Sequence, residues 1–221
     1  METAPAKKTT KKDQRKLILE GFKNHVLEHG TEPASIFKFA QSLKLKEADF
    51  YTYFTSFKSI KSAIWTAIFE DTLADLHSQE VFAGYSAREK FLGFLFTWIE
   101  ELKKSRSYLL VLYGDKGRAF RELPTDTKEF KKAFLEFSEE ILAEGKESEE
   151  IASRPYVTEK YGEALWLQVM FVFGFWVDDK SPRFEKTDAA VEKSVNLAFD
   201  LMGKSALDTF LDFAKFLYQN K

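Results

Sequence analysis

Two histidines near the amino terminus, His25 and His29, have the spacing at which two imidazoles on one helix face can bind a metal ion. No third ligand lies near them in the sequence. None of the three histidines, which include His77, has a Glu three residues before it, so the Glu-x-x-His motif of di-iron bundles is missing. The chain has no cysteine, which excludes disulfides, thiolate metal sites and cysteine nucleophiles. We therefore expect the histidines to face solvent, and we predict neither a metal site nor a cofactor.

Enzymatic motifs are also lacking in the sequence. The stretch from Gly114 to Gly117 does not have the spacing of a phosphate-binding loop and indicates a turn. No serine lies in the nucleophile-elbow sequence of hydrolases. Asp178 and Asp179 are expected to end a helix rather than to form a catalytic carboxylate pair. The sequence predicts no catalytic residue, and we expect a protein that is not an enzyme.

With metal sites and enzymatic motifs excluded, the sequence indicates binding to a polyanion. The first 60 residues hold eleven Lys or Arg against seven Asp or Glu, whereas the other 161 hold 22 against 28. Residues 1–12 form a flexible basic arm, which favours a polyanion, although a solvated tail that only aids solubility is an equal alternative. The residues expected to contact phosphates or bases are Lys44, Lys46, Lys58, Tyr51, Tyr53 and Thr52.

Helices must position these residues, because no stretch alternates as a strand does and all five prolines fall between periodic segments. The apolar run over 164–177 is shorter than the roughly 20 residues that cross a bilayer, so it predicts a buried helix and no membrane insertion. The predicted fold class is therefore all-α. The predicted helices span 13–29, 35–42, 47–53, 57–77, 86–104, 106–113, 125–144, 164–177 and 184–218.

The first predicted helix shows how its ends and its buried face can be deduced. It is expected to start at Asp13 as N-cap and to end before Gly30. Its apolar stripe consists of Leu17, Ile18, Phe22, Val26 and Leu27. The core that packs against this stripe is predicted to contain Ile36, Phe39, Ala40, Leu43, Leu45, Phe50 and Phe54. Farther along the chain, the acidic stretch 145–150 predicts a solvated loop.

Residues 35–60 outline a helix-turn-helix, whose second helix lies in the DNA major groove. They resemble the TetR family of transcriptional regulators. That family has an Ile/Val-Ala pair, an Ala-Gly-Val-Ser turn, a recognition helix ending Leu-Tyr-x-His-Phe, and then x-Ser-Lys-x-x-Leu. The corresponding segments of this chain are, in order, Phe39–Ala40, Leu43–Lys46, Phe50–Phe54, Ser56 and Ile60.

Four residues depart from the family pattern. Lys44 replaces the turn glycine, whose positive φ a lysine adopts only at some cost in free energy. Ala48 replaces a glycine at the start of the recognition helix. Asp49 stands where a small hydroxyl residue approaches the DNA backbone, and a carboxylate there would be repelled by phosphate. Phe57 replaces a lysine and removes one phosphate contact.

The resemblance implies a basic arm (1–12), a DNA-binding head (13–56) and a helical body (57–221) for ligand binding and dimerisation. It implies a homodimer on double-stranded operator DNA, joined through the last two apolar helices, whose DNA affinity an apolar small molecule changes. Aromatic residues of the body are expected either to line the cavity for this effector or to fill a solid core. These residues are Trp98, Tyr108, Tyr113, Phe134, Trp166, Met170 and Phe173.

A second function belongs to another class. Proteins with this fold that have lost DNA recognition and bind a lipid or isoprenoid are a precedent for it, and Asp49 and the Phe-rich body favour it. The basic arm and the lysines of the head favour the regulator. The first residues lack the apolar segment of a signal peptide, so we expect a cytoplasmic protein.

Overall fold

The computed structural model describes residues 11–114, 126–154 and 157–203, and every regular element in these ranges is helical. The predicted all-α class is therefore confirmed. The helices are α1 (Lys11–His29), α2 (Ile36–Ser42), α3 (Glu47–Tyr51), α4 (Phe57–His77), α5 (Ala87–Lys104), α6 (Arg106–Tyr113), α7 (Lys128–Glu147), α8 (Tyr161–Asp178) and α9 (Glu185–Met202). Residues 1–10 of the predicted basic arm lie outside the described ranges.

The head, α1 to α3 with the start of α4, is built around phenylalanine rings. Phe22 of α1 stacks on Phe57 of α4 with ring centroids 5.6 Å apart. Phe39 of α2 meets Phe57 edge-on at 5.7 Å, and Phe50 of α3 meets Phe39 at 6.2 Å. Such edge-to-face pairs add stability beyond the apolar area that they bury. The predicted core residues of α2 and α3 are confirmed as buried or packed against this cluster.

The predicted stripe of α1 is wrong at its two edges. Leu17 and Leu27 remain 42% and 46% exposed, whereas Leu19 is buried together with Ile18. Only residues within a narrower arc of α1 reach the ring cluster, because the short helices α2 and α3 cannot cover a wide face. The helix already includes Lys11, so Asp13 lies in its first turn and is not the N-cap. Gly30 does adopt the positive φ of a helix C′ residue, at 69°.

Helix α4 leaves the head and enters the body, where it packs against α5 and α7. Helices α8 and α9 pack on each other and cover α7 and α5 respectively. The apolar run predicted as a buried helix lies within α8. Within the described residues, no helix combines the length and apolarity needed to cross a membrane.

The stretch 145–150 is not the solvated loop that its acidity predicted. Helix α7 continues to Glu147, and a Cβ on Gly145 would lie 2.6 Å from Ile151, so the backbone approaches too closely for a larger residue. The Glu150 carboxylate accepts the backbone N–H groups of Ala87 and Arg88 at 2.9 and 3.2 Å. It therefore caps the N-terminus of α5, where a negative charge is favourable.

The turn between α8 and α9 is organised by Asp179, which is buried. Its carboxylate accepts the backbone N–H of Ser181 at 2.7 Å and both the N–H and the hydroxyl of Thr187. Burial by itself raises the pKa of Asp179, but these hydrogen bonds outweigh it and lower the pKa to about 2. The two aspartates at the end of α8 thus form a turn, as the sequence predicted.

The last predicted helix, 184–218, is described only in its first part. Helix α9 begins at Glu185 and ends at Met202, with Gly203 as an extended C-cap residue. Residues 204–221 lie outside the described ranges.

Candidate nucleic-acid interface and aromatic core

The turn of the helix-turn-helix keeps the shape that a glycine usually supplies. Lys44 has φ 58°, and its N–H bonds to the carbonyl of Gln41 at 3.0 Å. The next N–H, of Leu45, returns to the carbonyl of Ala40 at 2.9 Å and closes α2. Lysine is strained in this region because its Cβ approaches the backbone, so the turn is retained at some cost in stability. Its side chain is exposed.

Asp49 has a structural role that the sequence did not reveal. Its carboxylate accepts the N–H of Lys46, the N-cap of α3, at 3.0 Å, and so forms half of a capping box. A helix of five residues has few internal hydrogen bonds, so this contact helps to hold the recognition helix together.

The predicted DNA-contact residues differ in how free they are. Lys44, Lys46, Thr52 and Lys58 are exposed, and Tyr51 is 51% exposed. The Thr52 hydroxyl donates to the carbonyl of Ala48 at 3.2 Å. Tyr53 is half-buried, and its hydroxyl donates to Oε1 of Gln14 at 2.8 Å, which ties α1 to the end of the recognition helix.

A groove of about 580 Å³ lies beside the recognition helix and brings cations of three helices together. Arg15 of α1, Lys58 of α4 and Lys128 of α7 line it, together with Tyr53 and the carboxylates of Asp126 and Glu129. The Arg15 guanidinium lies over the ring of Phe54, 5.4 Å from its centroid. Sequence reasoning did not single out Arg15 or Lys128 as contacts, because their proximity depends on how α1 and α7 fold against α4.

Phe57, which stands where the family has a lysine, packs its ring against the head core. It lies within 6.2 Å of the rings of Phe22, Phe39 and Phe50. Phe57 therefore contributes to the packing of the head at a position where the family has a lysine.

The two histidines of α1 are stacked, with ring centroids 4.1 Å apart. His29 is exposed, but His25 is half-buried beside Phe39, so the expectation that both face solvent was wrong for His25. Partial burial and the neighbouring His29 lower the pKa of His25. In the described part of the chain, no three His, Asp or Glu side chains cluster in a way that could hold a metal ion.

Most of the predicted effector residues meet in one packed cluster of rings. Trp98 and Tyr113 lie 6.3 and 5.8 Å from Phe173, and Phe134 lies 5.7 Å from Trp166. Met170 is buried on the same helix as Trp166 and Phe173. Tyr108 is the exception, since its ring contact is with Phe22 of the head, at 6.3 Å.

Two rings that the sequence did not single out join this cluster. Trp65 of α4 stacks on Phe130 of α7 with the planes only 4° apart. The Trp65 indole N–H donates to the Tyr113 hydroxyl at 3.2 Å, and that hydroxyl donates to Asp126 at 2.8 Å. Burial, and then the Asp126 charge, raises the pKa of Tyr113, so its hydroxyl remains a donor.

Among the residues that the structure describes, three buried donor groups have no hydrogen-bond partner. They are the indole N–H groups of Trp98 and Trp176 and the hydroxyl of Tyr108. Buried donors are nearly always bonded, because each one left unpaired costs about 1–3 kcal/mol.

The outer surfaces of α8 and α9 carry an apolar stripe. Leu167 on α8 is 60% exposed, and Leu197 and Leu201 on α9 are 62% and 66% exposed. Phe171 and Phe175 continue the row of Leu167 at intervals of four residues and are partly exposed. Beside these rows, the Gln168 side-chain amide donates to the Ser194 hydroxyl at 3.0 Å and links the two helices. We call these five apolar residues the outer stripe.

Comparison with known proteins identifies the family. Residues 90–217 match the family described as Tetracyclin repressor-like, C-terminal domain. No curated protein matches the chain.

Similar solved structures include a putative tetR family transcription regulator from Shewanella sp. PV-4, at TM-score 0.58 and 15% identity, over 89% of this chain and 100% of that one. A transcriptional regulator from Cytophaga hutchinsonii has TM-score 0.54 and 15% identity, with 86% and 99% covered. A protein of unknown function from Rhodococcus sp. RHA1 has TM-score 0.57 and 13% identity, with 91% and 100% covered. At such low identity these likenesses show the fold alone. Because the matched family covers more than half of the chain, the protein belongs to the TetR family of transcriptional regulators.

Proposed function

We propose that the protein is a cytoplasmic transcriptional regulator that binds operator DNA as a homodimer and responds to an apolar small molecule. The observation that carries the proposal is the left-handed Lys44 turn, which keeps α2 and α3 in a helix-turn-helix arrangement without the usual glycine. Its DNA contacts would be Lys44, Lys46, Tyr51, Thr52 and Lys58.

The groove beside the recognition helix adds Arg15 and Lys128 to these contacts. Phosphate contacts position a protein on DNA, and a cation from the body at this place would make DNA affinity depend on how head and body are arranged. Tyr53 would act through packing, since its hydroxyl donates to Gln14.

The outer stripe supports the homodimer. Soluble monomers rarely leave a row of leucines and phenylalanines exposed along two adjacent helices, and a twofold axis beside α8 and α9 would pair the row with itself. The result would be a four-helix bundle that holds the two heads at a fixed spacing, as two DNA half-sites require.

The aromatic cluster supports an apolar effector. Its rings come from α4, α5, α6, α7 and α8, so a ligand that entered it would move helices that also contact the head. The contact between Tyr108 and Phe22 is such a connection. A ligand changes DNA affinity only if it binds one arrangement better than the other.

A TetR-fold protein that binds a lipid or isoprenoid without DNA recognition is the second candidate. The observation that favours it is Phe57, whose half-buried ring packs against the head core where the family has a phosphate-binding lysine.

Salt titration of binding to the DNA upstream of the protein's own coding region separates the two candidates. A regulator binds this duplex more tightly than an unrelated one, and its affinity falls steeply with salt. Lys46→Ala should reduce the slope of log affinity against log salt by about 1, whereas Lys146→Ala, at the far end of α7, should not. Equal, weak binding of both duplexes together with a co-purifying lipid would favour the second candidate.

A further inference from the structure

Phe173 is surrounded by four rings that carry hydrogen-bond donors. Trp65 meets it edge-on at 5.0 Å and Tyr113 at 5.8 Å. Trp98 and Trp176 lie 6.3 and 6.2 Å away. We call these four residues the donor cage. Each contributes an apolar face, and each also has one N–H or O–H that needs an acceptor.

The four donors of the cage divide into two pairs. Those of Trp65 and Tyr113 are bonded, to the Tyr113 hydroxyl and to Asp126. Those of Trp98 and Trp176 have no acceptor in the described part of the chain, although neither residue has any exposed surface. The ring at the centre, Phe173, has no acceptor to offer them.

The group that these two donors need is neutral. A carboxylate would need a cation, and the Arg106 guanidinium, which stacks on Trp176, is already engaged. Arg106 donates to the carbonyls of Trp176 and Asp179 at 3.0 and 3.2 Å, while it stacks over the Trp176 ring. A cation is disfavoured because the free N–H groups carry partial positive charge.

We infer that the effector is an uncharged aromatic carbonyl compound, a ketone or a quinone, which takes the place of the Phe173 ring within the donor cage. Its oxygen accepts the N–H of Trp98 or Trp176, and its ring keeps the apolar contacts that Phe173 makes. The inference deepens the proposed function, on which it rests, by naming the chemical class of the ligand.

A matched pair of probes tests it. Fluorenone and fluorene share one ring system and differ by a carbonyl group, and equilibrium dialysis gives the dissociation constant of each. In a site without free donors the hydrocarbon binds more tightly, because the carbonyl loses its hydration. The donor cage should reverse this order and bind fluorenone about tenfold more tightly.

Substitutions identify the donors. Trp98→Phe or Trp176→Phe should lower the ratio of the two affinities. Trp65→Phe makes the same change in size but removes a donor that is already bonded, so it should weaken both probes alike and keep their ratio. A ratio that falls equally in all three variants would contradict the inference.

Phe173→Ala opens the cage and covers the case in which neither tricyclic probe binds the wild-type chain. This variant, or Phe173→Leu if it does not fold, should bind acetophenone more tightly than ethylbenzene. Preference for ethylbenzene would overturn the inference, whereas the proposal that the effector is apolar would remain. The DNA titration above, carried out without any probe, decides the regulatory proposal independently of these ratios.

Discussion

The carboxylate of Asp49 accepts the N–H of Lys46 at 3.0 Å, so the residue that brings negative charge to the proposed DNA-binding surface also caps helix α3. The two effects can be separated by substitution. Asp49→Asn keeps an acceptor and removes the charge, and should tighten operator binding by roughly fivefold, about 1 kcal/mol. Asp49→Ala removes both and should lower the free energy of unfolding by about 1 kcal/mol. Fluorescence anisotropy and thermal melts measure these changes; weaker operator binding by Asp49→Asn would contradict the assignment.

Lys44 in its left-handed conformation predicts a trade between stability and DNA affinity. Lys44→Gly should raise the free energy of unfolding by about 1 kcal/mol, because the strain at Cβ disappears. The same change should weaken operator binding through the lost charge. Glu149→Gly is the matched control, since Glu149 has φ 59° outside the head and should affect stability alone. Chemical denaturation together with anisotropy tests both residues.

The outer stripe predicts the oligomeric state. Leu167→Glu or Leu197→Glu should produce a monomer in light scattering coupled to gel filtration, because a charge at the centre of an apolar contact loses its hydration. Operator affinity should fall with the dimer. Leu27→Glu, at an exposed leucine of α1, should keep the dimer; dimeric Leu167→Glu and Leu197→Glu proteins would place the interface elsewhere.

The hydrogen-bonded chain from Trp65 through Tyr113 to Asp126 predicts opposite effects for two similar substitutions. Tyr113→Phe leaves a buried N–H and a buried carboxylate without this partner, and should cost about 2 kcal/mol in calorimetric unfolding. Tyr108→Phe removes a hydroxyl that has no partner, so stability should stay level or rise. Equal losses for both would mean that the hydrogen bonds contribute nothing.

Asp179 predicts an acid-sensitive turn. Its pKa of about 2 in the folded chain is below the ordinary 3.8, so folding favours the charged carboxylate. The resulting stabilisation is complete above pH 3.8 and is lost as the pH falls toward 2. Asp179→Asn should cost about 2 kcal/mol at neutral pH and should flatten the decline in stability across this interval, as measured by denaturation at several pH values.

Periodicity was sufficient to predict the helices and most apolar positions of the head, although not Leu17, Leu19 and Leu27 of α1, because one buried face repeats along each helix. It could not predict which polar groups meet. Asp49 as a cap and Arg15 beside Lys58 depend on turns and helix packing that no local pattern encodes. Comparison with the family indicated only that Phe57 removes a phosphate contact. Its stacking on Phe22 explains why a phenylalanine stands at this position.

The aromatic core shows the same limit. The sequence did not assign Trp65 or Phe130 to the effector pocket, although their rings stack on each other within the same cluster. The assignment of seven residues to an effector pocket stays a prediction, and Tyr108 lies apart from the others, against the head.

The edge-on contact of Tyr108 with Phe22 has a consequence for protein engineering. Head and body share one continuous apolar interior, so an excised head would expose Phe22 to water and would not be an autonomous folding unit. Chimeric regulators that transplant this head onto another body would have to carry α6 with it, or supply an aromatic ring where Tyr108 now stands.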